Sequence, residues 1–433
     1  MPTTIRFRQR LLSILFWSIL SAAFIGPGTV TTASRAGASF GLSLLWALLL
    51  STLATILLQE TAARITLASG KSLGAIVQEK YAPQRARWIK LLLFGAVAFG
   101  CAAYQAGNLL GAMAGLQLLS PIPAHWLLLG LAGISFYFLW MGNFKRIATL
   151  LGLIVALMGL AFLVVAFRTD VSFGAVLQNS LIPQLPEGSA LLIIGLIGTT
   201  IVPYNLFLGS GISKDQSIAE MRFGLAVAIL LGGIISMAVL VVGTQVTSEF
   251  SFEAVSLALS QNMGDWMAYF FGVGLCIAGL SSSITAPLAA AVTAGSMYGS
   301  ADVADPWSPK GRNFRLVWVS VLGIGLLFGL LNFKPIPVII LAQAINGTLL
   351  PIVAAFLVLV ANDKTLMGAH ANRRLGNLVL LLIVALVTYL GLNNFTKALV
   401  QTLPVLEGVS LVGNLKWIGA GGVLLWLGYR VLR

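Results

Sequence analysis

The chain has 433 residues, of which 58% are hydrophobic and only 9% charged, and its mean hydropathy is +0.96. Ordinary globular domains carry roughly 25% charged residues, so the composition excludes a soluble protein. The question becomes how many times the chain crosses a bilayer. The formal net charge of +13 could point to nucleic acid, so the placement of the basic residues has to decide.

At about 20 residues per crossing, apolar runs predict spans at 12–36, 41–68, 90–118, 124–142, 147–167 and 190–213. Six more are predicted at 222–246, 266–297, 314–331, 337–361, 376–393 and 416–431. Basic residues ahead of the first run could suggest a signal peptide. No A-x-A-like site follows, and the run continues into Gly-Pro-Gly, so it is read as a first membrane helix. Segment 170–187 is expected to be an outer amphipathic connector. Cys101 and Cys276 both lie in apolar runs and imply no disulfide framework. Trp17, Trp126, Trp266 and Trp417 lie near span ends, as interfacial belts require.

Cytoplasmic loops are enriched in Lys and Arg. With the N-terminus inside, Arg6, Arg8 and Arg10 fall there, as do the basic residues of the loops around 64–90, 145–146 and 214–222. Lys310, Arg312, Arg315, Lys364, Arg373, Arg374, Arg430 and Arg433 follow them. Only Arg168, Lys334, Lys397 and Lys416 fall outside, and Arg35 lies in the first span. Twelve spans with both ends cytoplasmic explain the charge, and nucleic acid is not needed as a partner. The expected location is a cell membrane, the bacterial inner membrane.

Two spans are interrupted. The first contains Gly26-Pro27-Gly28-Thr29, and the sixth contains Val202-Pro203-Tyr204-Asn205. Proline removes a helical donor and clashes with the preceding turn. Non-helical backbone at mid-membrane persists only where protein or a watery cavity satisfies it. Each break alone could be an ordinary proline kink. However, they open two five-helix blocks, 12–167 and 190–361, followed by two appended helices at 376–431. Five being odd, the second block enters from the opposite side, which makes the repeat inverted. Paired interrupted helices of this kind mark a midplane binding site in secondary transporters.

Several stretches carry a resemblance. They are Gly37-Ala38-Ser39-Phe40-Gly41 leading to Leu58-Gln59, Ala68-Ser69-Gly70-Lys71, Gly274-Leu275 with Ser281-Ser282-Ser283-Ile284-Thr285, and Ala342-Gln343-Ala344-Ile345-Asn346-Gly347 with Leu350-Pro351. Together they resemble the Nramp family of proton-coupled divalent-metal transporters over most of the chain. The resemblance implies an all-α integral membrane protein with the leucine-transporter fold. It also implies a metal site at the breaks, where the family has Asp-Pro-Gly-Asn and Met-Pro-His-Asn. Here Gly26 stands at the metal-binding aspartate, Thr29 at the asparagine, Val202 at the methionine and Tyr204 at the histidine, while Asn205 is kept. Gln105 and Asn108 align with acidic proton-path positions, and Gln343 survives in the tenth span.

The charges lead to the same place without the family. Of the 13 acids, only Glu60 lies in a span, near its inner end, with Arg64 one turn on as an i,i+4 partner. His125 opens the fourth span and His370 lies in a polar loop. No carboxylate or imidazole is therefore expected at the bilayer centre. Hard divalent ions usually take carboxylate oxygens, and transition metals favour His, Cys or Met. High-affinity manganese or iron transport and proton coupling through a buried acid are not expected, nor is an intramembrane enzyme. The expected substrate-binding residues are Gly26, Thr29, Thr199, Val202, Tyr204, Asn205, Gln343 and Gln105.

The inherited substrate class is a divalent metal ion. The alternative is a small organic or anionic solute such as an amino acid, met by the half-helix N-termini at the two breaks. Arg35 either snorkels to the outer surface or lends positive charge to an outer vestibule. The Ser281–Thr285 cluster either binds sodium or bonds between helices. Gly111, Gly115, Gly152 and Gly159 are expected at close helix contacts. A monomer in the lipid bilayer, with no cofactor, completes the expectation.

Overall fold

The computed structural model describes residues 25–142, 145–212, 217–299, 305–402 and 410–432. It is helical throughout, with no strand among the described residues. In chain order come α1 (Pro27–Phe40), α2 (Leu45–Ser69), α3 (Leu73–Lys80), α4 (Pro83–Gln117), α5 (Ala124–Met141), α6 (Lys145–Arg168) and α7 (Phe173–Leu181). Then follow α8 (Ala190–Thr200), α9 (Pro203–Ile212), α10 (Ile218–Gly243), α11 (Phe252–Met263), α12 (Trp266–Tyr298), α13 (Arg312–Leu330) and α14 (Pro335–Ala361). A short α15 (Lys364–Met367), α16 (Arg374–Thr402) and α17 (Ser410–Leu432) end the chain.

Among the described residues, ten helices are long and apolar enough to cross a membrane, α8 and α9 counting as one through Leu208. The two remaining expected spans differ for separate reasons. Of span 12–36, residues 12–24 lie outside the described residues. Its described part is the 14-residue α1, which runs on to Phe40. The last span is helical, but its helix Ser410–Leu432 carries Asn414, Lys416 and five glycines, which dilute its hydropathy. The third span starts at Pro83 rather than 90, because proline suits the first turn of a helix, where no N–H is needed. The 170–187 connector contains α7, whose Ser172 hydroxyl caps the Ala175 N–H at 3.2 Å.

Helices α4 and α12 pack along much of their length, and α14 lies against both α8 and α4. Small residues allow this closeness. A Cβ on Gly115 would come within 2.6 Å of the Cys276 nitrogen, and one on Gly111 within 2.2 Å of Pro27. Gly159 meets Ile235 in the same way, at 2.9 Å. Large apolar side chains such as Phe99, Leu157, Leu231, Leu327 and Leu382 are exposed on the outer faces of these helices, where a bilayer would cover them.

The loops gather at two ends. At one, the basic end, Glu60 accepts from Arg64 Nε at 2.9 Å and from Arg222 Nε at 2.8 Å. Arg64 also donates to the His370 carbonyl and, at 2.6 Å, to Asn372 Oδ1. The Glu60–Arg64 pair of α2 thus reaches α10 through Glu60 and the loop before α16 through Arg64. Nearby, Lys80 bridges to Asp363 at 2.6 Å. Burial pushes the Asp363 carboxyl up. Hydrogen bonds from Lys80 and Thr365, together with the Lys80 charge, outweigh that and hold it at about 2. At the opposite end Trp46 Nε1 donates to the Gln184 carbonyl at 2.8 Å, and Asn394 to that of Ala190 at 3.3 Å. Arg35 lies at that end with its guanidinium 5.4 Å from the Phe250 ring centroid, a cation–π contact.

Candidate functional site

Two local sequence features build the site. Gly26 has extended backbone (φ −94°, ψ 178°), and Pro27 opens α1 at the position where a missing N–H costs nothing. The Val30 N–H closes the first turn on the Gly26 carbonyl at 3.1 Å. Pro203 similarly forbids the helix from running through Val202, so α8 stops at Thr200 and α9 restarts at the proline. The Asn205 N–H accordingly turns back to the Val202 carbonyl at 3.0 Å.

The two breaks touch. Thr29 Oγ1 and Thr199 Oγ1 are 2.7 Å apart across the α1–α8 contact, both buried. Tyr104 on α4 donates its hydroxyl to the Gly198 carbonyl at 2.5 Å, capping the end of α8, and its ring meets that of Tyr204 edge to face at 5.9 Å. Gly28 sits against the Gln343 amide, since a Cβ there would lie 2.0 Å from Nε2.

Between them is a cavity lined by Gly26, Gly28, Thr29, Tyr104, Asn108, Thr199, Val202, Tyr204, Ser282 and Gln343. The room it leaves for the centre of a water-sized particle is about 20 Å³, enough for a single such particle. Its wall is uncharged. Its polar side chains are the hydroxyls of Thr29, Tyr104, Thr199, Tyr204 and Ser282 and the amides of Asn108 and Gln343, and no cluster of three metal-ligating side chains occurs among the described residues. Gln343 Oε1 and Asn108 Nδ2 have no hydrogen-bond partner among the described residues.

Six of the eight residues expected from sequence therefore come together: Gly26, Thr29, Thr199, Val202, Tyr204 and Gln343. Gln105 does not line the cavity. It is wholly buried against Gly325 of α13, where a Cβ would lie 2.4 Å from Gln105 Cγ. Asn205 is buried beside the break and is also absent from the wall, with both amide atoms unpartnered among the described residues. The Ser281–Thr285 hydroxyls are engaged within and between helices. Ser283 meets Ser135 of α5 at 2.6 Å and Thr285 donates to the Ser281 carbonyl at 3.0 Å, while Ser282 faces the cavity. The Ser135–Ser283 pair was not foreseen, because nothing in an apolar α5 marks which face meets α12.

An all-helical bundle with two interrupted helices meeting at a buried polar cavity is the architecture of the leucine-transporter fold. Solved structures share the fold. A mutant of the Eremococcus coleocola manganese transporter superposes with a TM-score of 0.73 at 17% identity, covering 100% of this chain and 95% of that one. Mhp1, a nucleobase-cation-symport-1 family transporter in a closed conformation, gives 0.54 at 16% identity, covering 97% and 93%.

The chain belongs to the Nramp family: the family's profile, described as natural resistance-associated macrophage protein-like, matches residues 18–397. Among curated relatives, the divalent metal cation transporter MntH of Deinococcus radiodurans is 28% identical over 401 residues, 86% of this chain and 87% of that protein.

Proposed function

We propose that this protein is a secondary transporter that works by alternating access and carries a hard divalent cation of the magnesium kind. The observation that carries the reading is the cavity, a small space between the two breaks, walled by Thr29, Thr199, Asn108, Ser282 and Gln343. Such a space suits an ion better than an amino acid. Its uncharged side-chain oxygens suit a cation that keeps part of its water shell, as magnesium does, and the cavity widens to admit those waters. Val202 and Tyr204 bring neither thioether nor imidazole, which removes the ligands that favour transition metals. Binding is accordingly weak, and no buried acid lines the cavity to carry a coupled proton.

In this reading the basic end faces the cytoplasm, both termini lie there, and the carrier sits as a monomer in an inner membrane. Segments 12–167 and 190–361 form the inverted repeats, with 376–431 appended. A second reading, transport of a small anionic solute, draws on the N-termini of α1 and α9 at the cavity, whose partial positive charge no acid offsets. It requires the cavity to widen.

The test is calorimetry and proteoliposome uptake with magnesium, manganese and a panel of small metabolites. Magnesium should be carried with weak, saturable binding. Saturable micromolar manganese binding would refute the loss of transition-metal chemistry, and uptake of an organic anion without metal would move the assignment to the second reading.

A further inference from the structure

Helix α14 carries a second unpartnered amide oxygen, three residues beyond the one at the cavity. Neither Gln343 Oε1 nor Asn346 Oδ1 has a hydrogen-bond partner among the described residues, although the residues are only 2% and 1% exposed. Burying an unpaired acceptor destabilises a fold, so its presence at two successive positions calls for a use. Asn346 is not loosely held. Its Nδ2 donates to the Gly100 and Ala342 carbonyls, both at 3.2 Å. Because both partners are acceptors, the NH₂ must face them, which settles the orientation of the amide.

The oxygen then lies over Gly100, in space that a side chain would fill: a Cβ there would be 2.5 Å from Oδ1. Gly100 is one turn from the cavity residue Tyr104 on α4, and Asn346 is one turn from the cavity residue Gln343 on α14. Both steps run toward the basic end, where α4 starts at Pro83 and α14 ends beside the Lys80–Asp363 bridge. The rise along either helix is about 5 Å. The seam between α4 and α14 therefore holds one further oxygen acceptor about a turn from the cavity, and an acceptor with no donor attracts a cation and repels an anion.

We propose that Asn346 is a second cation contact, one helical turn from the cavity, on which the transported ion rests as it passes the basic end. The proposal rests on the cation reading of the cavity.

The experiment uses the full chain in proteoliposomes, with magnesium and manganese as probes, and compares Asn346→Ala and Asn346→Asp with the parent. Thermal melting in detergent reports folding. Loss of one oxygen contact in passage should lower kcat by about tenfold in the alanine variant, with KM for the cavity little changed. The aspartate variant adds a charge at the contact. It should tighten manganese binding by about tenfold or more, and the gain should fade as pH drops and the carboxyl takes a proton.

An alanine variant with parental uptake, or an aspartate variant with parental manganese affinity, overturns the proposal. So does a loss of uptake matched by an equal loss of melting temperature in both variants, which would make Asn346 a packing residue. If the parent carries no divalent cation, the function reading falls and takes this one with it. If the parent carries the cation and both variants match it, this inference alone falls.

Discussion

Gly198→Ala should be among the most damaging methyl additions possible in this chain. A Cβ at 198 would lie 1.9 Å from the Gln343 carbonyl oxygen, 2.6 Å from the Gly347 nitrogen and 3.0 Å from the Gln343 carbonyl carbon. All three are backbone atoms of α14, so no side chain can swing aside. Ordinary contact begins near 3.5 Å, which requires α8 and α14 to part by more than about 1.5 Å. Overpacking costs typically about 1–3 kcal/mol, and a backbone-on-backbone clash belongs at the upper end. The separation would also pull the Gly198 carbonyl from the Tyr104 hydroxyl at 2.5 Å, adding about 1 kcal/mol. A total loss of about 3–4 kcal/mol is expected. The control is Gly133→Ala on α5, where a Cβ meets nothing within 4 Å and alanine should help the helix by about 0.5–1 kcal/mol. Denaturant-induced unfolding in detergent measures both, with ligand uptake in parallel. A Gly198→Ala protein as stable as the Gly133→Ala control would refute the packing argument.

Restoring the family's ligands, with Gly26→Asp, Thr29→Asn and Val202→Met together, should create manganese binding. It should weaken as pH falls, because a buried carboxyl without an ion holds its proton. A folded triple variant that binds no manganese at pH 8 would show that more than ligands separates the cavity from the family's. Glu60→Gln should cost about 3 kcal/mol, since it strands Arg64, whose side chain is 6% exposed. Arg222→Gln, at a side chain 56% exposed, should cost under about 1 kcal/mol; the reverse order of melting temperatures would refute the assignment. For Asp363 the folded pKa is lowered to about 2 from an ordinary value near 3.9. Its contribution is therefore complete above about pH 4 and lost as pH falls toward 2. Melting curves from pH 5 to 8 should show no step that Asp363→Asn removes.

The placement of the ten long apolar helices was legible because apolar length and the two proline breaks are local signals. That the breaks would meet was also within reach, since Thr29 and Thr199 occupy matching places beside them. The rotation of each helix about its axis was not legible. A soluble helix announces its buried face by a polar stripe on the other, but here lipid and core are both apolar, and that contrast vanishes. Gln105 and Tyr104 are neighbours in sequence, yet one faces α13 and the other the cavity. Asn346 carried a faint signal, an amide three residues after Gln343 in an otherwise apolar run. Its partner Gly100 lies 246 positions away, a pairing no local pattern encodes. The capture of Arg222 by Glu60 was hidden for the same reason, although the Glu60–Arg64 spacing was readable.

The uncharged wall of the cavity bears on how membrane voltage acts on the transport cycle. A carrier whose site holds a fixed carboxylate moves that charge through the field on its empty return, and voltage then acts on both legs of the cycle. Here the lining from Gly26 to Gln343 holds no formal charge, so in the proposed cycle an empty return would move none at the site and would be indifferent to voltage there. The loaded leg would move the full charge of its cargo, about 2.3 kcal/mol per elementary charge for each 100 mV crossed. For a divalent cation this is about 4.6 kcal/mol per 100 mV, directed toward the negative side of the membrane. An electric field alone would then suffice to make such a carrier accumulate its cargo, with no second ion consumed.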